Sequence, residues 1–178
     1  FYGFGVFFKK TKDSFYNWHS FILSSHNYIY STNFLFKKDK INFKQKEIML
    51  SLEETIVNHR FRTVLNHGDM GPDHIFLNNY NVIGIIDPGN SFAGPAEYDL
   101  AYFAVYVNES QFKYVLDDYN GNINIEKIYI YMIVIAVYKA AKAQNIFDYR
   151  KVEYFVGIIN KTIPRISNFL DVKNCIKN

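Results

Sequence analysis

The feature that most constrains how this chain can fold is the backbone punctuation in its middle. Gly68, Gly71, Pro72, Pro88, Gly89, Gly94 and Pro95 bound three short apolar runs: Thr63-Val64-Leu65, His74-Ile75-Phe76-Leu77 and Val82-Ile83-Gly84-Ile85-Ile86. Glycine and proline at this density end helices and strands alike. The runs between them are too short for helices and are predicted as short strands. Asn78-Asn79-Tyr80-Asn81 between the second and third reads as a hairpin-type turn. Acidic and histidine side chains sit at the ends of these runs, on loops that strands would position, which is where chemistry is usually carried.

The flanks have a helical period. Up to about Asn58, Ser14 can cap a helix that puts Phe15, Trp18, Phe21 and Ile22 on one face. A second helix is predicted over Lys44 to Asn58 with Ile48, Leu52 and Ile56 in register, and the alternating segment Asn33 to Phe43 reads as a loop. Beyond the strands, Pro95 suits the first turn of a helix reaching about Val107. Two longer helices follow, over Ile123 to Gln144 and from Tyr149 to about Ile163, where Pro164 disturbs the end. Helices, a small strand cluster and more helices predict an α+β, mainly helical fold, read as one domain over residues 1–178.

Composition narrows the function classes. A hydrophobic content of 49% supplies a packed core and excludes a disordered, charge-dominated chain. Aromatics make up 19%, so Tyr131, Tyr138 and Phe147 read as core rather than as a stacking platform. The lone Cys175 excludes an internal disulfide framework and a cysteine-rich zinc site, and makes the cytoplasm the default compartment. A net charge of +3 with pI near 8.8 gives no argument for nucleic acid. The most apolar window, Ile128 to Ala143, is interrupted by Lys139 and Lys142 and is shorter than a bilayer span, so no membrane partner is expected. From Asp87 to Glu126 acidic residues outnumber the single Lys113, a stretch that suits a metal ion, a cationic substrate or simply a solvated face. Asp73, His59 and Glu97 read as surface residues.

The informative segment is Asn66-His67-Gly68-Asp69-Met70-Gly71-Pro72-Asp73-His74, followed by Ile85-Ile86-Asp87-Pro88-Gly89. Each half delivers a carboxylate from a strand end, and the intervening turn folds the strands together, so Asp69, His74 and Asp87 are expected to converge. Mg²⁺ takes one or two protein carboxylates and fills its remaining positions with phosphate and water. A further carboxylate not spent on metal can accept a hydroxyl proton or orient a nucleophile. A hydrolase using a transition metal held by His59, His67, Asp69, His74 and Asp87 is a competing reading of the same residues.

These residues, with Gly94-Pro95-Ala96-Glu97-Tyr98-Asp99-Leu100-Ala101 after them, resemble the C-terminal lobe of the aminoglycoside phosphotransferase family, small-molecule kinases of protein-kinase-like fold. The resemblance implies transfer of the γ-phosphoryl group of ATP or GTP to a substrate hydroxyl, with Mg²⁺ as the metal. It implies that Asp69 accepts or orients the acceptor hydroxyl, that His74 and Asp87 hold metal and nucleotide phosphates, and that Asp99 tethers the catalytic loop. His67 is expected to pack beneath that loop and bond to backbone. Pro88 stands where the family has an aromatic residue after the metal-binding Asp. An aminoglycoside or another antibiotic is the acceptor the family suggests, and a cationic one fits the acidic stretch. Nothing before Leu65 resembles the N-terminal lobe that holds the nucleotide in that family. The competing expectation is therefore a non-catalytic remnant or binding module of the same fold, inactive without that lobe.

Overall fold

The computed structural model describes residues 18–58, 60–79 and 81–166. Among these, α1 (Trp18–Ser25), α2 (Tyr28–Lys37) and α3 (Phe43–Val57) precede the strands β1 (Val64–Asn66), β2 (Ile75–Asn78), β3 (Asn81–Ile85) and β4 (Phe92–Gly94). Helices α4 (Ala96–Ala104), α5 (Glu109–Asp118), α6 (Ile125–Asn145) and α7 (Tyr149–Ile166) complete the order. The architecture is mainly helical with a small antiparallel strand cluster.

Local chemistry explains most boundaries. Asn42 caps α3 with a reciprocal capping box, its side chain accepting from Gln45 N while the Gln45 side chain accepts from Asn42 N. Asn108 and Gln111 do the same for α5, and the Asn124 side chain caps α6. Pro95 sits at the entry of α4. Pro164 lies inside α7, which nonetheless continues to Ile166. Proline removes one backbone donor, but Ile159, Thr162, Ile163 and Ile166 are buried and hold this last turn against the core.

The segment read as a loop over Asn33 to Phe43 is helical in its first half, because α2 extends to Lys37. Its buried residues Tyr28, Ser31, Thr32 and Leu35 follow a helical period that begins before Asn33, and the polar Ser and Thr on that stripe conceal it in the sequence. Phe147 is exposed, at the turn between α6 and α7 with φ of 58°, rather than in the core. Ser14, His59 and Cys175 lie outside the described residues.

The strands form two antiparallel pairs rather than one sheet. β2 and β3 make the expected hairpin, with Ile75 opposite Ile85 and a register irregularity after Phe76. β1 pairs instead with β4, Asn66 opposite Phe92. The β4 partner, Phe92-Ala93-Gly94, gave no strand signal because it is three residues long and ends in glycine. The core is the helical layer: α6 is buried almost all round, with Ile128, Ile133, Val134, Ile135, Ala136 and Val137 inaccessible to solvent, and packs against α2, α4 and α7. Trp18 joins the strand cluster to this core, stacking on Phe21 and Phe92 and meeting Tyr98 and Tyr131 edge-on.

Candidate functional site

The loop from His67 to His74 leaves β1 and enters β2 through a short 3-10 turn over Pro72–His74. One backbone carbonyl organises it. The Asp69 carbonyl accepts the Gly71 N–H at 2.8 Å and the His74 Nδ1–H at 2.7 Å. That bond puts the proton of a neutral His74 on Nδ1 and leaves the Nε2 lone pair available to a ligand.

Two side chains clamp the loop. The Asp99 carboxylate, from the first turn of α4, accepts the backbone N–H of His67 at 2.6 Å and of Gly68 at 3.0 Å. Burial pushes the Asp99 carboxyl above the usual carboxylate range, opposed by the two backbone N–H groups that favour its charged form. His67 is buried beneath the loop and donates Nε2–H to the Ile86 carbonyl at 2.8 Å. In that tautomer Nδ1 is an acceptor, and it is buried without a donor.

Ile86 is thereby held from both sides. Its carbonyl accepts from the His67 ring, and its N–H donates to the His74 carbonyl at 3.0 Å. The next residue, Asp87, is exposed and adopts a left-handed conformation with φ of 59°, opening a second 3-10 turn over Pro88–Asn90. Gly68 presses on that turn: it has φ of +84°, and a Cβ there would stand 2.2 Å from the Asn90 carbonyl oxygen. The Asp69 and Asp87 loops are therefore back to back, with the His67 and His74 rings 5.5 Å apart between them.

Asp69 faces a cavity of about 280 Å³. Neither His74 nor Asp87 lines it; its other charged walls are Lys139 and Lys142 of α6. Lys139 Nζ is 3.7 Å from Asp69 Oδ1 and lies over the Tyr102 ring at 4.9 Å and the Tyr106 ring at 5.9 Å. Burial lowers the Lys139 pKa, against the pull of Asp69, with the Lys142 charge adding to the depression. Burial first, then the Asp69 carboxylate, push the Tyr106 hydroxyl up to about 12. Sequence reading missed Lys139, for nothing in its local context distinguishes it from a solvated helix lysine.

The acidic stretch does not form one face. Glu97 is buried, not on the surface, and its carboxylate accepts the Asn124 N–H at 3.1 Å. Asp99 is spent on the loop, Glu109 pairs with Arg165 and Asp117 with Lys113. Asp73 is exposed on the 3-10 turn. Among the described residues no group of three or more His, Cys, Asp or Glu side chains could hold a metal ion, so the expected convergence of Asp69, His74 and Asp87 on one ion does not occur, nor does a cluster of His67, His74 and the two Asp of the hydrolase reading. No helix among them is long and apolar enough to cross a membrane.

A helical lobe carrying two carboxylate-bearing loops on short antiparallel strands is the architecture of kinase-like phosphotransferases. The chain belongs to the phosphotransferase enzyme family, whose model matches residues 35–131 and so includes both loops and α4. Among solved structures it is similar to a thermostable mutant of aminoglycoside phosphotransferase APH(4)-Ia in its apo form, with TM-score 0.61 and 14% identity over 85% of this chain and 53% of that one. It is also similar to aminoglycoside 2'-phosphotransferase-IIIa in its GDP complex, with TM-score 0.59 and 17% identity over 80% of this chain and 52% of that one. The chain thus spans about half the length of these enzymes. No curated protein matches it.

Proposed function

We propose that this chain is the acceptor-bearing lobe of a small-molecule kinase that moves the γ-phosphoryl group of ATP or GTP to a substrate hydroxyl. The observation that carries the reading is the double hold on Ile86, which fixes the Asp87 loop against the Asp69 loop through His67 and His74. In this reading Asp69 is the catalytic residue, orienting the acceptor hydroxyl and taking its proton as the phosphoryl group transfers. His67 and Asp99 are positioning residues. Phosphoryl transfer demands mostly placement and charge neutralisation, so loops held through their backbone are what the chemistry needs.

The donor set fits a magnesium–nucleotide complex. His74 Nε2 and the Asp87 carboxylate have no structural partner among the described residues, and two protein ligands suit an ion that draws its others from phosphates and water. When bound, such an ion would neutralise phosphate charge. The test is calorimetric titration of Mg²⁺–ATP and Mg²⁺–GTP onto the chain and onto Asp87→Asn. Binding tighter than millimolar that Asp87→Asn weakens at least tenfold supports the kinase. No binding to the chain by either nucleotide would leave the non-catalytic module as the better reading.

A further inference from the structure

The cavity in front of Asp69 carries an electrostatic signature that bears on the acceptor. Two of its lining side chains are lysines three residues apart on α6, about one helical turn, and its single carboxylate among the described residues is Asp69 itself. The histidine in its wall, His26, is held neutral near pH 7, because burial first and Lys139 second lower its pKa to about 4. The formal balance of the cavity among the described residues is thus two positive charges against one negative.

Neither lysine has a carboxylate within hydrogen-bonding distance among the described residues. Lys139 is only 22% exposed, yet its one anionic partner is 3.7 Å away, longer than a direct charge-assisted hydrogen bond. Lys142 has no ion-pair partner among the described residues. A half-buried ammonium short of acceptors is a site at which an incoming anion gains more than it would in water. A polycation would meet the reverse, since among the described residues no carboxylate other than Asp69 lines the cavity, and Glu97, Asp99, Glu109 and Asp117 are occupied elsewhere. Tyr102 and Tyr138 supply flat faces for a ring or a carbon skeleton. A volume near 280 Å³ admits a compact ligand.

We infer that the cavity takes a compact hydroxylated compound bearing an anionic group, with the anion on Lys139 and Lys142 and a hydroxyl at Asp69, and that it disfavours polycationic aminoglycosides. This rests on Asp69 being the acceptor-side residue of the proposed kinase. The anion is assigned to the acceptor and not to the nucleotide because His74 and Asp87, the groups assigned to nucleotide phosphates, do not line the cavity.

The experiment is calorimetric titration of the chain, at low ionic strength and pH 7.5, with gluconate and shikimate (hydroxylated carboxylates), methyl glucoside (neutral) and kanamycin (polycationic). At least one carboxylate is expected to bind tenfold or more tighter than both methyl glucoside and kanamycin. Lys142→Glu, an exposed substitution that leaves the core intact, should weaken it at least tenfold, as should Lys139→Gln. Asp69→Asn should keep or tighten it. Kanamycin binding as tightly as the carboxylates, carboxylate affinity unchanged by both lysine variants, competitive displacement of the carboxylate by Mg²⁺–ATP, or no carboxylate binding at all would each overturn the inference. Failure of the kinase reading looks different: carboxylate binding remains lysine-dependent while Mg²⁺–ATP neither binds nor phosphorylates the bound compound.

Discussion

Gly68 lies so close to Asn90 that a Cβ on it would be 2.2 Å from the Asn90 carbonyl oxygen. This contact sets the separation of the two loops that carry Asp69 and Asp87. It also explains why glycine stands in the middle of the His-Gly-Asp motif: the position has both a left-handed φ of +84° and no room for a side chain. Gly68→Ala should therefore destabilise the fold by about 2–4 kcal/mol, combining backbone strain with a clash against main chain that cannot rotate away. Urea unfolding measures the loss. A change under 0.5 kcal/mol would show that the loops can separate freely.

The Asp99 carboxylate satisfies two backbone donors at once. Asp99→Ala leaves the His67 and Gly68 N–H groups without their acceptor, with an expected cost of about 1–3 kcal/mol for buried groups so orphaned. Hydrogen exchange gives the local readout. The His67 and Gly68 amides should lose protection in the variant while amides in the middle of α6 keep theirs.

Asp69 and Asp73 are four residues apart on one loop. Asp69 lines the cavity beside Lys139, whereas Asp73 is solvent-exposed on the 3-10 turn. In the protein carrying a complete nucleotide site, Asp69→Asn should reduce kcat by about 10³-fold or more, the scale of losing a positioned base together with its charge, while Asp73→Ala should leave kcat within a few fold. An inactive Asp73→Ala with an active Asp69→Asn would reverse the assignment of roles on this loop.

His26 is buried, its Nε2 2.8 Å from the Tyr98 hydroxyl, and its pKa falls from 6.5 to about 4 because burial penalises the charged ring. The unfolded chain binds this proton at higher pH than the folded one, so the stabilisation is present above pH 6.5 and is lost as pH falls toward 4. Between pH 7 and pH 5 the folded state should lose about 2 kcal/mol from this group. Urea midpoints across that window, compared with His26→Gln, test it. The variant should show a flatter profile, and an identical slope would mean that other groups carry the dependence.

The motif loops, the hairpin and the long helices were legible because their information is local. Gly68 and the Pro72, Pro88 and Pro95 punctuation dictate backbone shape wherever they occur, and the apolar run of α6 and the apolar stripe of α7 show in a single window. The helical start of Asn33 to Phe43, the pairing of β1 with β4 and the burial of Glu97 were not legible. Each depends on a partner distant in sequence: the core packing of Leu35, the strand Phe92–Gly94, and the Asn124 N–H that Glu97 accepts.

By itself, the amino-acid order determined that the acidic and histidine side chains would stand on loops beside strand ends, since turn preference and hydrophobic period act over a few residues. Only the tertiary structure decided their surroundings. Packing of α6 against α4 brings Lys139 to within 3.7 Å of Asp69, 70 positions earlier, while Glu97, Asp99, Glu109 and Asp117 of the apparent acidic tract find other partners and do not line that cavity. Charge in a sequence is a sum over residues, whereas the field at a site falls off with distance in space, and that distance is fixed only when the helices pack.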